Sequence, residues 1–170
     1  VLMVPFLFPD AFDLATQRAN YDYYEARTLH KSSLSPAIHA IVGLQVGDAS
    51  KAERYFARSA FVDLDDNQGN TDEGIHIASA GGTWQVAVLG FGGLRLRGDV
   101  LHLTPQLPDS WERLTFSVCR PAGIVRVDLG HLQHRFTWEG MPGSTVSLCV
   151  DGTAHDLSAG APLTVASSTR

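Results

Sequence analysis

The chain has 170 residues, 44% hydrophobic and 18% charged, which is enough apolar material for one domain or two small ones and excludes a disordered segment. A formal net charge of -5 without a basic stripe argues against a nucleic-acid partner. Two cysteines, Cys119 and Cys149, sit in strand-like runs and read as buried thiols, with one disulfide as the alternative.

The chain opens on VLMVPFLFP, an apolar run too short to span a membrane and interrupted by Pro5. It has no basic region before it and no small-residue cleavage site, so it makes a poor signal peptide. A chain that begins in so buried-looking a run is expected to be part of something longer, with a missing segment over that surface. A first helix is predicted from Asp10 to about Ala19. In TLHKSSLSP, residues 28–36, Ser35 suits a helix N-cap and Pro36 the first helical position. The helix over 36–47 places Ile38, Ile41, Val42 and Val46 at a 3.6-residue period. Gly47-Asp48 ends it. Ser50 to Glu53 reads as a capping box, opening a helix with Ala52, Tyr55, Phe56 and Ala60 on one stripe. The short link makes an antiparallel hairpin. A helix near 78–90, apolar almost all round, is expected to bury Trp84 on several sides. Stacked hairpins of this kind suggest an α/α toroid or solenoid.

After Gly92-Gly93 the period changes to two. Residues 94–97 and 100–103 flank the turn Gly98-Asp99. Strand-like runs follow at 114–118, 124–129, 134–138 and 146–150, and 153–155 forms a second hairpin across Asp151-Gly152. Short strands at this spacing predict an antiparallel β-sandwich. Residues Ala166 to Arg170 read as a frayed tail. The expected organisation is therefore α + β in two segments, 1–93 helical and 94–170 in strands.

Two polar clusters carry chemistry. The first, TLHKSSLSP, puts an imidazole, an ammonium and hydroxyls before a helix start, where exposed amides and the positive dipole end favour an anion such as phosphate. Its plainer reading is a helix cap in a solvated turn. The second, NTDEGIHIAS over 70–79, adds His76. The acidic run from Asp63 fails as a calcium loop: the turn glycine is one position late, and the twelfth position is Gly74. His30 and His39 lack zinc spacing, and no metal site is expected. His39 reads as a packed histidine. Gly90 to Gly93 fits a helix C-cap and hinge better than a phosphate cradle. His102, His131, His134 and His155 read as surface residues.

The residues 20–25 (NYDYYE), then TLHKSSLSPAIHAI, DLDDNQGNTDEGIHIASAGGTWQ and GFGGLR, resemble glycoside hydrolase family 65. That family is similar to inverting phosphorylases of α-linked glucose disaccharides such as maltose, trehalose and kojibiose. The resemblance implies the last helices of an (α/α)6 barrel followed by a small antiparallel β-sandwich domain. It implies that His30, Ser32, Ser33 and His76 hold inorganic phosphate, a co-substrate, with no cofactor. It places the general acid, a glutamate, upstream of this chain; Glu25, Asp72 and Glu73 match no motif for it. The implied protein is cytoplasmic and a homo-oligomer, with the rest of the barrel and a disaccharide as partners and no membrane. The intact HKSSLS favours phosphorolysis over hydrolysis, because phosphate is already anionic and needs no general base. The isolated chain is expected to be inactive. A noncatalytic helical and β-sandwich module, binding sugar or another subunit, is the rival from another class; a hydrolytic family member is the third reading.

Overall fold

The computed structural model describes residues 1–168, which fall into two compact units that divide between Gly90 and Phe91; Thr169 and Arg170 of the expected tail lie outside the described residues. Helices occupy the first and strands the second, an α+β layout.

The helical unit contains α1 (Met3–Leu7), α2 (Leu14–Glu25), α3 (Ser35–Gln45), α4 (Ala49–Ala60) and α5 (Ile77–Gln85). The first predicted helix starts later and runs longer than expected: Pro9–Ala11 is a short 3-10 turn, and the Asp13 carboxylate caps α2 by accepting the Thr16 amide at 2.7 Å. Helix α3 is buried from Pro36 through Leu44. Its small residues admit close neighbours; a Cβ on Gly43 would stand 3.0 Å from the Tyr21 hydroxyl. Leu2, Tyr21, Ile38, Val42 and Val46 form one apolar cluster.

Gly47 makes the turn between α3 and α4 at a φ of +83°, a conformation glycine adopts without steric cost. The cap of α4 is Asp48, which accepts the Lys51 amide at 3.3 Å, and not Ser50 of the expected capping box. Asp48 is the last residue before the helix, so its short side chain reaches the first-turn amides. Helix α5 meets α4 through a buried hydroxyl set: Ser59 and Ser79 Oγ are 3.1 Å apart, and Thr83 donates to Ser59 at 3.1 Å. Gly82 lies against Ala37 of α3. This face uses Ser79, Gly82 and Val86, at three- and four-residue spacing, and turns Trp84 away. Trp84 is 58% exposed, correcting the expectation that it is deeply buried. The helix continues as a π-helical turn over Val86–Phe91.

Among the described residues the second unit has eight strands: β1 (Arg95–Arg97), β2 (Val100–Leu103), β3 (Arg113–Arg120), β4 (Gly123–Gly130), β5 (Gln133–Gly140), β6 (Thr145–Val150), β7 (Thr153–Ser158) and β8 (Leu163–Ala166). They form two four-stranded sheets, β1-β2-β6-β7 and β3-β4-β5-β8. Alternate residues of both sheets, among them Leu101, Val127, Phe136, Trp138 and Leu148, share one hydrophobic cluster. Most pairs are antiparallel, but β2 and β6 pair in parallel, Leu101 opposite Leu148. They are separated by the β3–β5 meander, so no hairpin turn constrains their direction. Ala166 belongs to β8 and Ser167 donates to the Leu132 carbonyl, so these two are paired where fraying was expected. Cys119 is exposed and Cys149 half-buried, both free thiols. His134 is 2% exposed, not a surface residue, because it shares the inward register of Phe136 and Trp138. Among the described residues no helix is long and apolar enough to cross a membrane.

Candidate anion site at two helix N-termini

The site begins with helix polarity. His30 and Arg58 are joined by a hydrogen bond from the Arg58 guanidinium to the His30 carbonyl, 2.9 Å, so the loop before α3 lies against the C-terminal half of α4. Ser59, next on α4, bonds Ser79 in the first turn of α5. The N-terminal ends of α3 and α5 therefore both sit beside the C-terminal end of α4. Two helix N-termini at one end of the unit put two sets of first-turn amides and two positive dipole ends on the same side.

Ser35 does not cap α3. It is the first helical residue, and its Oγ lies 2.6 Å from His30 Nδ1. The other ring nitrogen of His30 lies 2.8 Å from the Tyr55 hydroxyl. The imidazole is buried and fully engaged. Burial, with the Arg58 charge assisting, holds its pKa below the ordinary histidine value. His30 also adopts a φ of +49°, a left-handed conformation that costs a non-glycine residue about 1 kcal/mol and must be held by its neighbours. His39 packs edge-on to His30 at 4.5 Å between centroids; burial pushes its pKa down to about 4.

Ser32 is exposed and accepts the Leu34 amide at 3.3 Å, which leaves its hydroxyl proton to donate outward. Ser33, in the same turn, is half-buried. A cavity of about 320 Å3 opens beside Thr28, Ser32, Ser35 and His39, with Leu2 on its apolar side. Neither Ser33 nor His76 lines it.

His76 immediately precedes α5. The Asp63 carboxylate holds it twice, accepting from Nδ1 at 2.5 Å and from the backbone amide at 2.8 Å. Those two bonds keep Asp63 ionised below the usual carboxylate range, the ring hydrogen bond being the larger cause. With Nδ1 committed to Asp63, Nε2 is the nitrogen His76 has to offer a ligand. Asp66, at a φ of +47°, organises the preceding loop by accepting the Asn70 and Thr71 amides and the Thr71 hydroxyl. Among the described residues no group of three His, Cys, Asp or Glu side chains is arranged to hold a metal.

Sequence reasoning missed Asp63 as the partner of His76, and it missed Tyr55 and Arg58 beside His30. Lys51, Tyr55 and Arg58 share a helix face at positions i, i+4 and i+7, a donor stripe the sequence does carry.

Comparison with known proteins identifies the two units. Residues 1–85 match the glycosyl hydrolase family 65 central catalytic domain, and residues 94–165 the family's C-terminal domain. A kojibiose phosphorylase of Caldanaerobacter subterraneus subsp. tengcongensis is 56% identical over 128 residues, 75% of this chain and 17% of that protein. An alpha,alpha-trehalose phosphorylase of Thermoanaerobacter brockii is 47% identical over 129 residues, 76% of this chain and 17% of its own length. A solved structure assigned as a kojibiose phosphorylase from the human microbiome superposes with a TM-score of 0.88 at 34% identity, covering 97% of this chain and 21% of that one. The chain thus spans about one sixth of the length of these curated relatives. It belongs to glycosyl hydrolase family 65, and its residues fall in the central catalytic domain and the C-terminal domain of that family.

Proposed function

We propose that this chain supplies the phosphate-holding side of an inverting disaccharide phosphorylase, as the last helices of an (α/α)6 barrel joined to a C-terminal β-sandwich. The observation that carries the reading is His76, fixed by Asp63 at the start of α5, whose N-terminus lies at the same end of the unit as that of α3. Phosphate has to be desolvated, oriented and charge-compensated before it can attack an anomeric carbon. Ser32 and Ser33 supply hydroxyl donors, the α3 and α5 first turns supply amides and dipole, and His76 supplies Nε2. His30 contributes through the loop it anchors, since both its nitrogens are engaged inside the protein.

In this mechanism phosphate attacks the anomeric carbon from the face opposite the leaving sugar. The carbon–oxygen bond to that sugar breaks, a general acid outside this chain protonates the leaving oxygen, and an α-glucoside gives a β-glucose 1-phosphate. No residue here has to remove a proton from the nucleophile. The kojibiose and trehalose phosphorylases among the relatives support a double glucoside as substrate class.

The test is phosphate dependence in the full-length protein that carries this segment. Cleavage of kojibiose, trehalose or maltose with release of β-glucose 1-phosphate is the expected result. Glucose released at an equal rate without phosphate overturns the reading in favour of hydrolysis.

A further inference from the structure

One chain of hydrogen bonds runs from the surface of α4 to the start of α3. Lys51 Nζ donates to Glu25 Oε2 at 2.9 Å, and the Tyr55 hydroxyl lies 2.8 Å from Glu25 Oε1. Burial pushes the Glu25 carboxyl up, but the Lys51 and Tyr55 hydrogen bonds outweigh it and hold the group ionised. A carboxylate only accepts, so the single Tyr55 proton goes to Glu25. The Tyr55 oxygen must then accept from His30 Nε2–H at 2.8 Å. That fixes the neutral imidazole as the Nε2–H tautomer, with a lone pair on Nδ1, and the Ser35 hydroxyl donates to it at 2.6 Å. From Ser35 through His30 and Tyr55 every donor points toward Glu25, and Lys51 donates to Glu25 from the other end.

We propose that Tyr55 is a positioning residue for the phosphate loop, setting the tautomer of His30 so that the imidazole clamps Ser35 and holds residues 30–35 in their strained turn. The inference rests on the phosphorylase reading above. Ser35 has spent its proton on His30 and has none for an anion, whereas Ser32, which accepts from Leu34, keeps its own. The clamp therefore decides which hydroxyls of the SSLS turn face the ligand. The φ of +49° at His30 gives the clamp something to oppose: without it the loop relaxes and its hydroxyls swing from their places. Tyr55 touches neither sugar nor phosphate in this scheme.

The test uses the full-length enzyme and initial rates of phosphorolysis, with phosphate and disaccharide varied separately. Tyr55→Phe keeps the ring and removes the relay. It should raise the KM for phosphate about tenfold, the loss of roughly one net hydrogen bond, with the KM for disaccharide within about twofold of wild type. Ser35→Ala should raise the phosphate KM similarly, and Ser35→Thr, which restores a hydroxyl donor, should bring it back. A phosphate KM within about twofold of wild type in Tyr55→Phe, beside a phosphate-dependent wild type, overturns the positioning role alone. If Tyr55→Phe does not fold, the serine pair decides: equal phosphate KM in Ser35→Ala and Ser35→Thr overturns it. A wild-type enzyme that cleaves without phosphate sinks the phosphorylase reading instead.

Discussion

Asp63 illustrates how one side chain acquires a role through its partner. Its carboxylate binds ring and backbone of the same residue, so it fixes both the direction of the His76 ring and the start of α5. Asp63→Ala should remove both bonds and leave the ring and the start of α5 unheld. We expect about a tenfold or greater loss in kcat/KM for phosphate in the full-length enzyme, with the disaccharide KM much less affected. Equal phosphate kinetics in wild type and variant would remove Asp63 from the site. His39 makes a separate prediction about stability. Its folded pKa of about 4 lies below the ordinary 6.5, so the unfolded chain binds more protons between those values. Stability is therefore full above pH 6.5 and falls as the pH drops toward 4, by on the order of 3 kcal/mol from this residue. His30 and His134, both lowered by burial, act in the same direction. Urea unfolding at pH 7 and at pH 4.5 measures the slope, and His39→Leu should flatten it.

At the scale of elements, the close approach of α3 and α5 depends on Gly82. A Cβ there would stand 2.8 Å from that of Ala37, nearer than two such atoms pack. Gly82→Val should cost about 1–3 kcal/mol by overpacking, read as a lower urea midpoint, and Gly81→Ala, with open space around it, should not. The same contact bears on the site, because spreading α3 from α5 separates the two helix N-termini. Helices α3 and α4 were readable from residue spacing, since a 3.6-residue period is a local property. The caps were less so. Ser35 and Ser50 are both good capping types, yet Ser35 is drawn to His30 and Asp48 reaches the α4 amides first. Strand β8 escaped reading because Leu163–Ala166 is too short to show alternation and acquires its hydrogen bonds only from β5.

Taken whole, the chain exposes apolar side chains that a self-contained domain would cover. Val4, Leu7, Phe8, Ile75, Ile77 and Trp84 are between 47% and 73% exposed. Under the barrel reading, the rest of the enzyme covers them. The 170-residue chain on its own should then bind an apolar dye and self-associate in sedimentation, and it should give no phosphate-dependent turnover of kojibiose or trehalose. A monodisperse monomer would count against the barrel reading, and any turnover would place the general acid inside this chain.

The order of residues encodes directly whatever short-range chemistry dictates. The change from helical to alternating period, the hairpin turns at Gly98-Asp99 and Asp151-Gly152, and the motifs HKSSLS and GIH all lie within a few residues of themselves. Those motifs are enough to indicate family 65, and they contain the candidate residues His30, Ser32, Ser33 and His76. Which atoms those residues have to offer depends on the folded neighbours. Tyr55 stands 25 residues from His30 and Asp63 stands 13 from His76. The same holds for the parallel pairing of β2 with β6, the burial of His134 and the exposure of Trp84. Each depends on which surface a folded neighbour presents, and a side chain's local pattern carries no record of that neighbour.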